Sequence, residues 1–198
     1  IQDWGSSLMA AQTLGPKAFC LIDLGHHAPN VNIEMIVSRL VHARRLGGFH
    51  FNDSKYGDDD LDTGCIDPYR LFLIFNELVE GMEESGSKNP SPAWMIDASH
   101  NLQDPLEDLL QSIEAIKIAY AQALLVDRPA LEKARENNDP TLAQEILQDA
   151  YRMDVRPILA EARKQSGGAI NPLDLYRKLK VRTALIKERG EKAISTGL

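Results

Sequence analysis

Ala18-Phe19-Cys20-Leu21-Ile22 runs directly into Asp23-Leu24-Gly25-His26-His27-Ala28-Pro29-Asn30. The apolar run reads as a strand buried on both faces, and the segment after it as a turn-rich loop at the strand's carboxyl end. The pattern repeats downstream. Ile33, Ile36, Val37, Leu40 and Val41 recur at helical spacing, with Gly47-Gly48 as the stop. Phe49-His50-Phe51 gives a second short strand, followed by an acidic loop from Asn52 to Gly64. Asp67-Pro68 opens a second helix in cap-then-proline order; it carries Leu71, Phe72, Ile74, Phe75 and Leu78. Its composition fades into a Gly/Ser/Pro-rich connector from Gly81 to Pro92, and the third strand is Ala93-Trp94-Met95-Ile96-Asp97.

Strand, helix, strand, helix, strand means parallel βαβ units and an α/β fold. Right-handed crossovers bring all strand ends to one side of the sheet. Three parallel strands alone leave both edges open, so a complete fold of this type needs more strands than this chain supplies. The second half has no comparable strand. A long amphipathic helix follows Pro105, bearing Leu106, Leu109, Leu110, Ile113, Ile116, Tyr120 and Leu124. Another starts near Thr141 with Ile146, Leu147, Ala150 and Met153, and Pro157 must kink or divide it. Asn171-Pro172 starts a last helix with Leu175, Leu179 and Leu185. The boundary therefore falls near 102: residues 1–102 carry the strands, and residues 103–198 form a helical extension. No internal repeat marks a solenoid.

With 43% hydrophobic residues and 26% charged ones, the 198-residue chain has enough apolar material for a core. A net charge of -7 argues against nucleic acid or an anionic membrane surface as the main partner. No window is long and apolar enough to span a bilayer, and the start lacks the layout of a signal peptide. Cys20 and Cys65 cannot build a disulfide scaffold and sit in apolar surroundings, which fits a reducing, cytoplasmic setting. The opening residue is Ile1 rather than Met, the expectation being a processed or incomplete piece.

The informative polar residues terminate strands. Asp23 and His26 follow the first, His50 lies in the second, Asp58 and Asp60 lie in the loop after it, and Asp97 ends the third. All should converge on the carboxyl edge of the sheet, where α/β folds place their sites. Two imidazoles and four carboxylates there suit a divalent metal through mixed N and O donors, with Mn²⁺, Mg²⁺ or Co²⁺ favoured over a structural zinc knot. Without a cation, so many carboxylates would repel one another. Each residue also has a plainer reading. Asp23 can be a turn carboxylate, His26 and His27 loop histidines, His50 a satisfied core histidine between two phenylalanines, and Asp97 a cap. Asp58-Asp59-Asp60 can be a solvated acidic turn; as a calcium loop it fails, because Thr63 and Tyr69 stand where Gly and Glu are needed. What raises the set above these readings is that three successive strand ends all deliver ligands.

Lys55 and Lys88 read as solvated loop residues, and Trp4 and Trp94 as packing residues. Neither cysteine has a basic partner nearby in sequence, so a catalytic thiol is not expected. There is no glycine-rich phosphate loop and no nucleophile-elbow serine.

The Asp23–Asn30 segment, together with Gly47-Gly48-Phe49-His50-Phe51-Asn52-Asp53-Ser54-Lys55-Tyr56-Gly57-Asp58-Asp59-Asp60, resembles L-rhamnose isomerase. The likeness is greatest to the bacterial branch with a broad aldose range, and it extends through Met95-Ile96-Asp97 and the helical tail. It implies the C-terminal part of a (β/α)₈ barrel of the xylose-isomerase type, followed by helices that wrap the barrel and support a tetramer. It implies two divalent metals, Mn²⁺ first, with Mg²⁺, Co²⁺ or Zn²⁺ as substitutes. Asp23, His50 and Asp97 would bind the structural, substrate-orienting metal; His26, Asp58 and Asp60 would bind the catalytic one. The implied reaction is L-rhamnose to L-rhamnulose, and other aldoses to their ketoses, by a metal-assisted hydride shift without an organic cofactor. One departure stands out. The family's first metal also takes a glutamate from an earlier barrel strand, which this chain does not contain. The chain then reads as an incomplete portion, weakly active or inactive alone.

Two other readings follow from the same residues. A related barrel such as a sugar epimerase would share the strand ends but needs a glutamate pair to deprotonate carbon, whereas the acids here are mainly aspartates. A non-catalytic metal-binding or structural fragment, requiring an N-terminal half, is the reading of a different class.

Overall fold

A computed structural model describes residues 3–57, 59–85, 92–98 and 103–190. Helix α1 (Trp4–Leu14) precedes strand β1 (Cys20–Asp23); α2 (Ile33–His42), β2 (Leu46–Phe51), α3 (Pro68–Ser85) and β3 (Ala93–Ile96) follow. The strands form a parallel sheet in the order β1-β2-β3. The fold is α/β, with two crossover helices joining neighbouring parallel strands.

Register decides which side chains share a face. Ile22, Phe49 and Trp94 stand side by side, and Asp23, His50 and Met95 form the next row on the opposite face. The first face is the core side: Cys20, Ile22, Phe49 and Phe51 are buried with Ile36, Val37 and Leu40 of α2 and with Phe72 and Phe75 of α3. Phe51 stacks on Phe75 at 5.6 Å, and Trp94 meets both rings edge-on, which agrees with reading Trp94 as packing. The other face is open. Leu21 is 47% exposed and Met95 39%, so the expected burial of the first strand on both faces does not hold among the described residues. Helices α2 and α3 both pack on the core side.

Several boundaries differ from the sequence reading, each for a local reason. β1 begins at Cys20 rather than Ala18. Gly47-Gly48 does not stop α2. That helix ends at His42, where Ala43 N–H bonds Arg39 O, and Arg44 turns the chain at φ +55°. The two glycines lie inside β2 because side chains there would collide: a Cβ on Gly48 would sit 2.8 Å from Ala93 O, and one on Gly47 2.6 Å from Phe19 Cβ. α3 continues through Gly81 to Ser85 instead of fading there. Only part of the expected connector, residues 86–91, lies outside the described residues.

The second half is helical, as expected: α4 (Pro105–Leu124), α5 (Arg128–Glu136), α6 (Pro140–Tyr151), α7 (Arg156–Gln165), α8 (Pro172–Lys178) and α9 (Val181–Arg189). Pro157 divides rather than kinks, because α6 has ended at Tyr151 and the proline sits in the first turn of α7. The last expected helix is also split, at Lys180 with φ +49°. Helices α1 and α5 are additions to the sequence reading. Asp3 caps α1 by accepting Ser6 N–H, and Asp127 caps α5 by accepting Ala130 N–H.

The two halves share one core. Ile116, Ala119 and Ala123 of α4 join the α3 residues, and Leu131 and Ala150 extend the cluster. Arg128, at the start of α5, ties it to α3: it donates to Asn76 Oδ1 (2.7 Å), Asn76 O (3.3 Å), Ala123 O (3.1 Å) and Glu80 (3.3 Å). Helices α7, α8 and α9 bury no residue fully. Among the described residues no single helix is long and apolar enough to cross a membrane.

Candidate metal centre

The open face and the carboxyl edge of the sheet meet at His50. Its neighbours Phe49 and Phe51 point to the core, so the pleat turns the imidazole outward, and the plainer reading of His50 as a core histidine does not hold. Asp23 ends β1 directly beside it in register, and Asp97 follows β3, held there by its N–H bonding Phe51 O at 3.1 Å. Nδ1 of His50 lies 3.0 Å from Asp23 Oδ2 and 3.0 Å from Asp97 Oδ2. One ligand atom from each of the three lies within 4.8 Å of the other two.

The donor set can be tested against a cation. One ring nitrogen carries at most one proton, so Nδ1 can satisfy one of these carboxylates as a donor and not both. A divalent ion among them removes the conflict, since neutral imidazole and both carboxylates can then all act as electron-pair donors. One nitrogen and two hard oxygens, partly open to solvent, fit Mn²⁺, Mg²⁺ or Co²⁺, as the residue types suggest. These three residues would supply only part of a full coordination shell.

His26 and Asp60 form the rim. His26 Nε2 is 3.8 Å from Asp23 Oδ2 and 3.9 Å from Asp60 Oδ1. Asp60 reaches this position through a left-handed backbone, φ +45°, which aspartate tolerates better than most residues. Of the second expected set, His26 and Asp60 come together, and Asp58 lies outside the described residues. Asp59 points elsewhere: its Oδ2 accepts the N–H groups of Lys55 and Tyr56, both at 2.7 Å, and these bonds hold its carboxyl below the usual range. His27 is half-buried, and that desolvation lowers its pKa while the Asp23 carboxylate opposes the shift.

Sequence reasoning did not single out Asn52 or Asp53, taking both as the start of the acidic loop from Asn52 to Gly64. Both are buried. Asn52 donates to Asp23 Oδ1 at 3.0 Å and to Asp60 Oδ1 at 3.1 Å, and it accepts Gly25 N–H at 2.6 Å. Asp53 pairs with Leu61 in an antiparallel bridge, and its Oδ2 accepts the N–H groups of Ile66 (2.9 Å) and Asp67 (3.2 Å) ahead of α3. The available signal was position: both directly follow the strand that carries His50, where polar residues are costly to bury without partners.

The cysteines are free, Cys20 buried and Cys65 exposed. Cys65 therefore departs from the apolar setting expected of it. Partial burial and the carboxylates of Asp53 and Asp62 push its thiol up to about 11, the reverse of what a nucleophile needs.

No protein-family model matches the chain. It is 60% identical over 189 residues to a protein of Mesorhizobium japonicum named a probable sugar isomerase, and 59% identical over 189 residues to one of Rhizobium meliloti with the same description. The alignment covers 96% of this chain and 44% of each relative, so the chain spans a little under half the length of the curated relatives it matches. Over nearly all of its length, then, this sequence is similar to part of proteins named probable sugar isomerases.

Proposed function

We propose that the chain is part of a metal-dependent aldose–ketose isomerase of the L-rhamnose isomerase kind, acting on L-rhamnose to give L-rhamnulose and open to other aldoses. The observation that supports this most is His50 Nδ1 lying 3.0 Å from both Asp23 and Asp97 at a sheet edge, in a chain 60% identical to part of a protein named a probable sugar isomerase.

In this reading Asp23, His50 and Asp97 hold the substrate-orienting cation, completed by a glutamate from a strand beyond this chain. His26, Asp58 and Asp60 hold the catalytic cation. When bound, such ions act as Lewis acids toward adjacent sugar oxygens and offset the charge that grows on them. The isomerisation moves a hydride from C2 to C1 and a proton from the O2 hydroxyl to O1, so no redox partner is needed. The chain's own residues set the geometry. The pleat fixes the His50 ring by burying its neighbours Phe49 and Phe51, and Asp23 and Asp97 flank its Nδ1.

The open face bearing Leu21 and Met95, together with two sheet edges, supports a (β/α)₈ barrel whose remaining strands cover that side. Residues 1–102 would then supply barrel strands, and 103–198 a helical extension that packs on the barrel and on partner subunits of a tetramer. The same open face also favours a second reading, a metal-binding fragment inert without its other half.

The test is Mn²⁺ titration of the full-length protein with an L-rhamnose to L-rhamnulose assay on the same sample. Two Mn²⁺ per chain with turnover is expected. Both should be impaired in the Asp58→Asn, Asp60→Asn double variant. Full turnover after exhaustive metal removal would overturn the two-metal reading. Metal binding without turnover of any aldose would favour a non-catalytic metal-binding role or an epimerase.

A further inference from the structure

The side chain of Asn52 touches one ligand from each proposed metal set, and it is 1% exposed. Its two amide hydrogens go to two different carboxylates, Asp23 Oδ1 at 3.0 Å and Asp60 Oδ1 at 3.1 Å. Asp23 belongs to the set around His50, and Asp60 to the set around His26. The oxygen that Asp23 offers to His50 is Oδ2, so Asn52 occupies the opposite oxygen of that carboxylate and leaves the ligating one facing the centre.

The surrounding backbone is shaped around this amide. Asn52 Oδ1 accepts Gly25 N–H at 2.6 Å, while Ser54 Oγ donates to Gly25 O at 3.1 Å. A Cβ at Gly25 would lie 3.0 Å from Asn52 Oδ1 and 3.3 Å from its Cγ. The β1 loop is thus clamped from both sides by the segment after β2, and the missing side chain at residue 25 is what lets the amide in. With its oxygen held by Gly25, the amide cannot flip, and its hydrogens must face the two carboxylates.

We infer that Asn52 is a positioning residue that couples the two metal sites, orienting one carboxylate of each through a single rigid amide. This rests on the two-metal reading above. Outer-shell partners of this kind are worth about 10- to 100-fold in metal affinity. Because one group serves both carboxylates, its loss should weaken both sites together rather than one.

The experiment is calorimetric Mn²⁺ titration of the metal-free full-length protein, for wild type, Asn52→Ala and Asn52→Leu. Leucine keeps the volume and removes the hydrogens, so it stands in if the alanine variant does not fold. Far-UV circular dichroism below the melting transition confirms that the titrated protein is folded, which separates metal affinity from stability. A loss of about 10- to 100-fold at both sites is expected. Wild-type affinity at either site in a folded variant would overturn the inference while leaving the two-metal reading intact. Absence of saturable Mn²⁺ binding in wild type would instead sink that reading, and the inference with it.

Discussion

Gly25 N–H and Asn52 Oδ1 meet at 2.6 Å, and the gap between these residues leaves no room for a methyl group: a Cβ on Gly25 would lie 3.0 Å from the same oxygen. Gly25→Ala must therefore shift Asn52 or the β1 loop by a few tenths of an ångström. Overpacking of this kind costs about 1–3 kcal/mol. The displaced residues carry Asp23 and His26, so Mn²⁺ affinity should fall along with the melting temperature. Titration and thermal unfolding of the same variant check this. An alanine variant with unchanged affinity would mean that the loop absorbs the methyl group away from the centre.

The parts of this site that were legible in the sequence are those fixed by short-range rules. Apolar runs located the strands, while the reading of His50 as a core histidine between Phe49 and Phe51 overlooked that the pleat turns it to the opposite face. Strand-end position alone places Asp23, His50 and Asp97 at one edge of the sheet. Asn52 was hidden because its role depends on contacts 27 and 29 residues back along the chain, to Gly25 and Asp23. Gly47-Gly48 misled because glycine stops helices and also permits close strand approach, and only Phe19 and Ala93, far away in sequence, reveal the second use. Helix α1 escaped because its start, Trp4-Gly5-Ser6-Ser7, has a weak apolar stripe; its stability comes from the Asp3 cap and packing of Trp4 and Leu8 on the core.

Gly81→Ala sets helix propensity against packing. In an exposed helix interior alanine would gain about 1 kcal/mol over glycine. Gly81 lies in α3 where it crosses α2, however, and a Cβ there would run into Val41 Cγ1. Valine holds one strongly preferred rotamer in a helix, so it cannot swing aside cheaply. The clash should win, lowering the melting temperature by several degrees for a chain of this size. The Val41→Ala, Gly81→Ala pair should recover the loss, since it removes the obstacle and keeps the propensity gain. A single variant as stable as wild type would show that the two helices can separate at no cost.

Cys65 is exposed, yet it should be a sluggish thiol. Its pKa is pushed up to about 11 by partial burial and by the Asp53 and Asp62 carboxylates. At pH 8 this leaves about a hundredfold less thiolate than an ordinary cysteine carries. The thiolate that remains is more nucleophilic by about tenfold, so the net expectation is labelling about tenfold slower than in the unfolded chain. Disulfide-exchange labelling at pH 8, native against denatured, measures this directly. Asp62→Asn should speed the native reaction. Equal native and denatured rates would mean that these carboxylates do not act on the thiol.

Glu77 gives the fold a pH dependence of a particular sign. Its carboxyl is half-buried in α3, and desolvation raises its pKa; the nearby Glu80 adds to the rise, while bonds from Ser38 and the Asn76 amide oppose it. An acid whose pKa is higher folded than unfolded binds its proton more tightly in the folded state. Its stabilising contribution is then present in full below the unfolded value, near 4.5, and is lost as pH rises through the folded value. Above the folded value the protein carries an ionised carboxylate where a neutral group would be less costly. Glu77→Gln keeps the shape and supplies that neutral group, so it should raise the melting temperature at pH 7. The gain should shrink steadily toward pH 4, where wild-type Glu77 is itself protonated. Thermal unfolding of both proteins across that range tests the sign. A variant less stable than wild type at pH 7 would show that the Ser38 and Asn76 bonds outweigh burial, because glutamine would then be losing charge-assisted bonds rather than relieving desolvation.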